Sequence, residues 1–198
     1  MALQKFDELK SLPYQRYFGT MDLSDNQKQD RIKLAVLLED FFIDLLYVLE
    51  TLEYESLEYI NKEWTNKFID IIATVIVIDD SIKAYASKTI NQIIETTDAK
   101  HETEYFTSED RAIVIAENES NALYNYEDYQ QAVVSGKTTK TWLTVLDERV
   151  RSTHSVLDGM TIGINELFVV GNSYMRYPHD IEGSVREIIN CRCSILYR

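Results

Sequence analysis

The sequence predicts an α+β protein, an N-terminal helical region followed by a small antiparallel sheet domain. Two observations carry this expectation. Apolar residues recur every three or four positions through most of the chain, then give way to short runs rich in β-branched and aromatic residues. Charge divides at the same place: of 20 basic and 33 acidic residues, eight basic and seven acidic lie from Lys137 onward. The preceding part therefore carries −14 and the tail +1. An acidic helical region over 1–105 and a domain of one long helix plus a small sheet over 106–198 is the organisation expected.

Ser24 and Gln27 have the spacing of a capping box and open a helix from about Asp25 to Glu50. Ile32, Ala35, Leu38, Phe42, Leu45 and Leu49 make one stripe, widened by Leu34, Leu37, Phe41 and Val48. A face this wide belongs to a helix surrounded by its own fold or shared with another chain, such as a second copy in a homo-oligomer. Glu39, Asp40 and Asp44 interrupt it, so no membrane span is expected. A second helix fits Leu57 to Thr74, with Trp64, Phe68, Ile71 and Val75 on one side. "ATVIVID", Ala73 to Asp79, reads as helix from its flanks although its β-branched residues suit a strand equally. A third helix runs from Asp80 to about Thr96 on Ile82, Tyr85, Ala86, Ile90 and Ile93, and a polar connector follows. Thr107 with Asp110 is expected to cap a fourth helix, which Gly136 ends. "KTWLTVL", "ELFVV" before Gly171-Asn172, and "CSILY" read as strands, and Pro178 sets a turn at "YPHD".

At 198 residues, 45% hydrophobic and 27% charged, the chain has the composition of a globular protein. A net charge of −13 argues against a general nucleic-acid binder, leaving at most a local, salt-sensitive polyanion contact by the tail. Cys191 and Cys193, two residues apart, would form a strained disulfide, so free thiols and a reducing compartment are expected. The start "MALQKFDELKSL" has no basic region leading into an apolar core, so no secretory signal is expected.

"KTWLTVLDERVRSTHSVLDG" concentrates the polar chemistry. An enzyme would use His154 as base, oriented by Asp147, Glu148 or Asp158, but no nucleophile elbow and no glycine-rich phosphate loop accompany it. Catalysis is therefore not expected. A metal site would join His154 to Cys191 and Cys193, with Asp147 or His179, and such ligands suit zinc; C-x-C is tighter than the usual paired-cysteine spacing, which weighs against it. The structural reading accounts for more of the block. Asp147 and Glu148 end a strand, Arg149 and Arg151 offer guanidinium forks to carboxylates or carbonyls, and Asp158-Gly159 turns the chain with Gly159 free to take positive φ. Asp147, Glu148, Arg149, Arg151, His154, Asp158 and Asn190 are thus expected to form a structural polar cluster, without a cofactor.

Three stretches in order resemble the C-terminal domain of the Mu F-like phage minor head (head morphogenesis) proteins. They are the "IA…E…N" helix with Glu119 and Asn125, the block from Trp142 through Asp147, Glu148, Arg149, Arg151, His154, Leu157, Asp158 and Gly159, and the terminal "NCRC" at Asn190 to Cys193. The likeness covers about Arg111 to Tyr197. It implies a structural minor capsid protein of a phage or prophage, associated with the portal vertex. The implied partners are the portal protein and other head proteins, with DNA packaging or delivery in some members. It implies a place in the virion, inside the capsid or at the portal, after assembly in the host cytoplasm. The matched residues look like the frame of the family's domain rather than catalytic groups. His179 stands where the family has glycine in "YPGD", so an altered turn is expected there. Some members carry fused toxin or ADP-ribosyltransferase domains, and none is expected within these residues.

Overall fold

The computed structural model describes residues 10–51 and 56–198. Residues 1–9, which hold most of the stretch read for a secretory signal, lie outside them. Of the described residues 59% are helical, with small antiparallel sheets near the C-terminus, the α+β architecture expected from the change in periodicity. The described helices are α1 (Leu12–Gly19), α2 (Asp25–Thr51), α3 (Leu57–Ile72), α4 (Asp80–Ala99) and α5 (Glu109–Val134). They are followed by β1 (Thr139–Leu143), α6 (Ser152–Ser155), β2 (Thr161–Gly163), β3 (Phe168–Val170), β4 (Ser173–Met175), α7 (Val185–Ile188) and β5 (Ser194–Tyr197). They fall into two compact units: Leu34–Ala116, and the described residues up to Lys33 together with Glu117–Arg198.

Local chemistry sets the helix ends. The Ser24 N–H donates to Gln27 Oε1 at 3.1 Å while the Gln27 N–H reaches back to Ser24 Oγ at 3.4 Å, closing the capping box that opens α2. At the far end of α5 the Lys137 N–H donates to the Ala132 carbonyl and the Gly136 N–H to that of Val133. With Gly136 at φ 75°, this is a Schellman cap. The opening cap of α5 lies one residue later than expected: Ser108 Oγ, not Thr107, accepts from the Arg111 N–H at 3.3 Å. Thr107 instead belongs to a 3-10 turn over Glu104–Thr107.

In the unit Leu34–Ala116, Phe41, Phe42, Trp64 and Phe68 form an aromatic cluster with centroids 5.1 to 5.8 Å apart. α3 packs on α4 with Ile60, Phe68, Ile72, Ile82, Ala86 and Ile90 buried. Leu34 and Phe41 are buried within the chain and Leu37 is 52% exposed, so most of the wide apolar face of α2 is taken up by its own fold. "ATVIVID" is neither helix nor strand. Helix α3 ends at Ile72, turns follow, and Asp79 adopts an extended conformation from which its side chain accepts the Ile82 N–H at 2.8 Å. A residue cannot both cap one helix in the β region and continue the previous one, so the capping aspartate breaks the run. Arg111 then fastens the 3-10 turn to α4, its Nη1 donating to Thr97 Oγ1 at 2.7 Å and to the Phe106 carbonyl.

In the other unit, β1 is the central strand of a three-stranded antiparallel sheet, β2-β1-β5, and β3 pairs with β4 as a separate hairpin. The strands at "KTWLTVL", "ELFVV" and "CSILY" are thus realised in shorter form, while β2 and β4 had no sequence signal beyond three residues each. Gly171 takes φ 60° at the first central position of the hairpin turn. One face of the sheet closes a core of Trp142, Leu157, Phe168, Val170, Met175, Cys191 and Cys193. Two residues before Trp142 on the same face, Lys140 is fully buried. Its Nζ has no hydrogen-bond partner among the described residues and lies over the rings of Tyr129 (5.2 Å) and Phe168 (5.6 Å).

Burial lowers the Lys140 pKa to about 8 from an ordinary 10.5, outweighing the attraction of Asp180. Below pH 8 the buried charge is a cost. Between about 8 and 10.5 the unfolded chain binds more protons than the folded one, so stability rises with pH there. Lys140→Met is expected to raise the melting midpoint at pH 7 by an amount equivalent to about 1–3 kcal/mol. That gain should shrink as the pH approaches 10.5, checked by calorimetry of both proteins across the range.

Candidate functional site

The polar block does not act as one cluster; it is divided among several separate locks. Strand β1 ends at Leu143, so Asp147 and Glu148 sit in a turn beyond it rather than at its end. Asp147 accepts from Arg192 Nη2 at 2.8 and 2.7 Å through its two oxygens, and from the Arg149 N–H at 3.0 Å. The Arg192 guanidinium holds its carboxyl below the usual carboxylate range. Glu148 is exposed with no hydrogen-bond partner among the described residues, and Arg149 contributes its backbone rather than its fork. Arg151 donates to the Ile189 carbonyl. Asp158 Oδ1 accepts from the Thr144 N–H (2.8 Å) and hydroxyl (3.0 Å). Gly159, at φ 72°, donates its N–H to the Trp142 carbonyl. Asn190 also takes positive φ (54°), and its N–H donates to Asn118 Oδ1 at 2.6 Å.

His154 is the centre of the second lock. It is 1% exposed on α6, edge-on to Trp142 at 5.7 Å. Its Nε2 is 3.1 Å from Glu187 Oε2, whose carboxylate also accepts from Thr153 Oγ1 at 2.8 Å. Its Nδ1 is 3.5 Å from Cys191 Sγ and 3.5 Å from Cys193 Sγ. Both thiols are free and buried, and the three ligand-type atoms lie within 4.8 Å of one another. Burial holds the Cys191 thiol well above its ordinary range, whereas the hydrogen bond from Cys191 pulls Cys193 down. Neither further metal candidate joins them: Asp147 is occupied by Arg192, and His179 Nε2 faces the Cys191 carbonyl at 2.6 Å. Burial lowers the His179 pKa to about 4, so it is a neutral donor at pH 7. It takes φ 59° after Pro178, and the Asp180 N–H donates to the Tyr177 carbonyl. The turn therefore forms with histidine at the left-handed position that glycine ordinarily favours.

The third lock is a polar face of α5 that the sequence reading reached only at Asn125. Asn118, Asn121, Asn125 and Asp128 recur at three- and four-residue spacing, the signal by which the face could have been found. Asn121 Nδ2 donates to the Cys191 carbonyl (3.4 Å) and Asn125 Nδ2 to that of Pro178 (2.8 Å). Fully buried Arg31 donates to Asn121 Oδ1 (3.1 Å), Asn125 Oδ1 (2.9 Å) and Asp128 Oδ2 (2.7 Å). Tyr17 on α1 donates its hydroxyl to the same Cys191 carbonyl at 3.0 Å. Glu187, Arg31 and Tyr17 lacked any motif, and Arg192 lies in the "NCRC" stretch without a local signal for its role, because each serves a partner distant in sequence.

The unit is thus a mixed helix-and-sheet domain whose polar signature residues pin loops and a terminal strand. The chain belongs to the Phage Mu protein F like family, whose profile matches residues 75–196. This is a family of phage head morphogenesis, minor capsid proteins. The match reaches back to Val75 and takes in α4, well before the Arg111 at which the motifs begin. Among curated proteins the chain is similar to the NAD(+)--arginine ADP-ribosyltransferase EFV of Enterococcus faecalis, 31% identical over 71 residues. The aligned part is 36% of this chain and 14% of that protein, so the chain spans only a small part of its relative's length. No solved structure matches.

Arg31→Ala would leave two buried asparagine oxygens without their donor and the Asp128 carboxylate with Gln27 Nε2 in place of its ion pair. Chemical denaturation of this variant is expected to show a loss of about 2–4 kcal/mol, discounted for the partial exposure of Asp128.

Proposed function

We propose that this chain is a structural minor component of the phage head, seated at the portal vertex on the capsid interior, and that it turns over no substrate. The family match over residues 75–196 carries this reading. The polar block supports it, because His154, Asp147 and Asp158 are engaged with other side chains or with backbone. His154, Cys191 and Cys193 are 1, 2 and 3% exposed, which leaves a substrate no approach and weighs against a metal-assisted enzyme or effector. On α2, exposed Leu37 and Tyr47 remain for the portal protein, another head protein or a second copy. The near-neutral tail, rather than the acidic remainder, is the part suited to approach packaged DNA.

Size-exclusion chromatography with light scattering, alone and with the cognate portal at micromolar concentration, is expected to show a stable complex that Leu37→Asp weakens. A strict monomer that ignores the portal would remove the assignment to the vertex. Incubation with NAD+ and an arginine acceptor is expected to give no nicotinamide release above a blank, and turnover would overturn the non-enzymatic reading.

A further inference from the structure

One imidazole nitrogen faces two thiols. His154 Nε2 is committed to Glu187 Oε2, a carboxylate that only accepts, so the N–H lies on Nε2 and the ring's lone pair on Nδ1. That lone pair lies 3.5 Å from both sulfurs. A single lone pair serves one S–H donor in line and the other thiol turns to its neighbour's sulfur, so the nitrogen and both sulfurs converge within 4.8 Å of one another. An imidazole nitrogen and a thiolate sulfur bound to one tetrahedral zinc, at ~2.0 and ~2.3 Å, stand about 3.5 Å apart. The geometry points to a zinc site formed by His154 Nδ1, Cys191 Sγ and Cys193 Sγ, which locks the C-terminal strand to the helix Ser152–Ser155.

The surroundings fit that ion. Glu187 orients the imidazole from its far nitrogen, as carboxylates do for histidine ligands, and is itself held by Thr153. Gly171 leaves the space Glu187 occupies, since a Cβ there would meet Glu187 Oε1. The Trp142 indole N–H, buried on the wall of the same core, faces Cys193, and such a donor suits a metal-bound thiolate. Charge selects among metals. Two thiolates balance a dication, so the complex is neutral inside a shell of Trp142, Leu157, Phe168, Val170 and Met175; a monovalent copper ion on the same ligands would leave a net negative charge there. On binding, each thiol releases its proton to solvent and no electron moves. Three protein ligands leave a fourth position, and with all three buried it admits nothing much larger than water. The role is therefore a cross-link over 37 and 39 residues of chain, in place of a disulfide. It stands independently of the assignment to the portal vertex.

The test uses the full chain, expressed with zinc in the medium and purified without chelator. Elemental mass spectrometry is expected to find about one zinc per chain. Cobalt(II) added to chelator-stripped protein is expected to give thiolate-to-cobalt charge-transfer absorption. Cys191→Ser and Cys193→Ser should each abolish both signals, Asp147→Asn should keep both, and Glu187→Gln should weaken zinc affinity about 10–100-fold. Background zinc together with no thiolate–cobalt absorption in the wild-type chain would overturn the site. So would absorption that persists unchanged in both serine variants. Should a serine variant fail to fold, the wild-type cobalt titration decides alone.

Discussion

The Cys191 carbonyl receives donors from three directions: Tyr17 on the first helix, Asn121 on the long helix, and His179 in the turn after Pro178. A carbonyl has two lone pairs, so three donors at one oxygen fix the local backbone more tightly than a strand ladder would. With that backbone held, the two residues flanking Arg192 present their thiols inward to His154, while Arg192 itself turns out to Asp147. The placement of β5, and hence one edge of the three-stranded sheet, follows from this anchor.

The unit is held by buried polar groups to an unusual degree for its small sheet. Arg31, Asn121, Asn125, His154, His179 and Asp180 are all at most 5% exposed, beside a compact apolar core of seven residues. Polar groups in such a setting stabilise only when their bonds are complete, and they penalise alternative packings severely. Asp180 is an example: Arg176 binds it through side chain and backbone, and the Glu182 N–H takes the remaining direction. Specific placement of loops, rather than mass of hydrophobic burial, is what such a network supplies. A part of a large assembly needs loops held in register before its neighbours arrive, and that need accords with membership of a head morphogenesis family.

Helix extents were legible in the sequence because caps and periodicity are local. The Ser24–Gln27 box, the stripe of α4 and the Gly136 terminator each act within a few residues. "ATVIVID" departs from the helix its flanks suggest because β-branched residues leave both options open and the deciding bond, Asp79 to the Ile82 N–H, belongs to the next element. The strands β2 and β4 are three residues long, too short for any alternation to declare itself.

The sequence by itself determined the order of helices and sheet, the acidic and near-neutral division of charge, and the signature residues that place the chain in its family. Tertiary structure alone decided which partners those residues meet. Asp147 met the guanidinium of Arg192 instead of those of its neighbouring arginines, Glu148 met none among the described residues, and His154 met Glu187 and both cysteines. The reason is physical. Periodicity records hydrogen bonds made within a few residues, whereas Tyr17 and Cys191 are 174 positions apart, and no local preference encodes a contact that exists only once the chain has closed on itself.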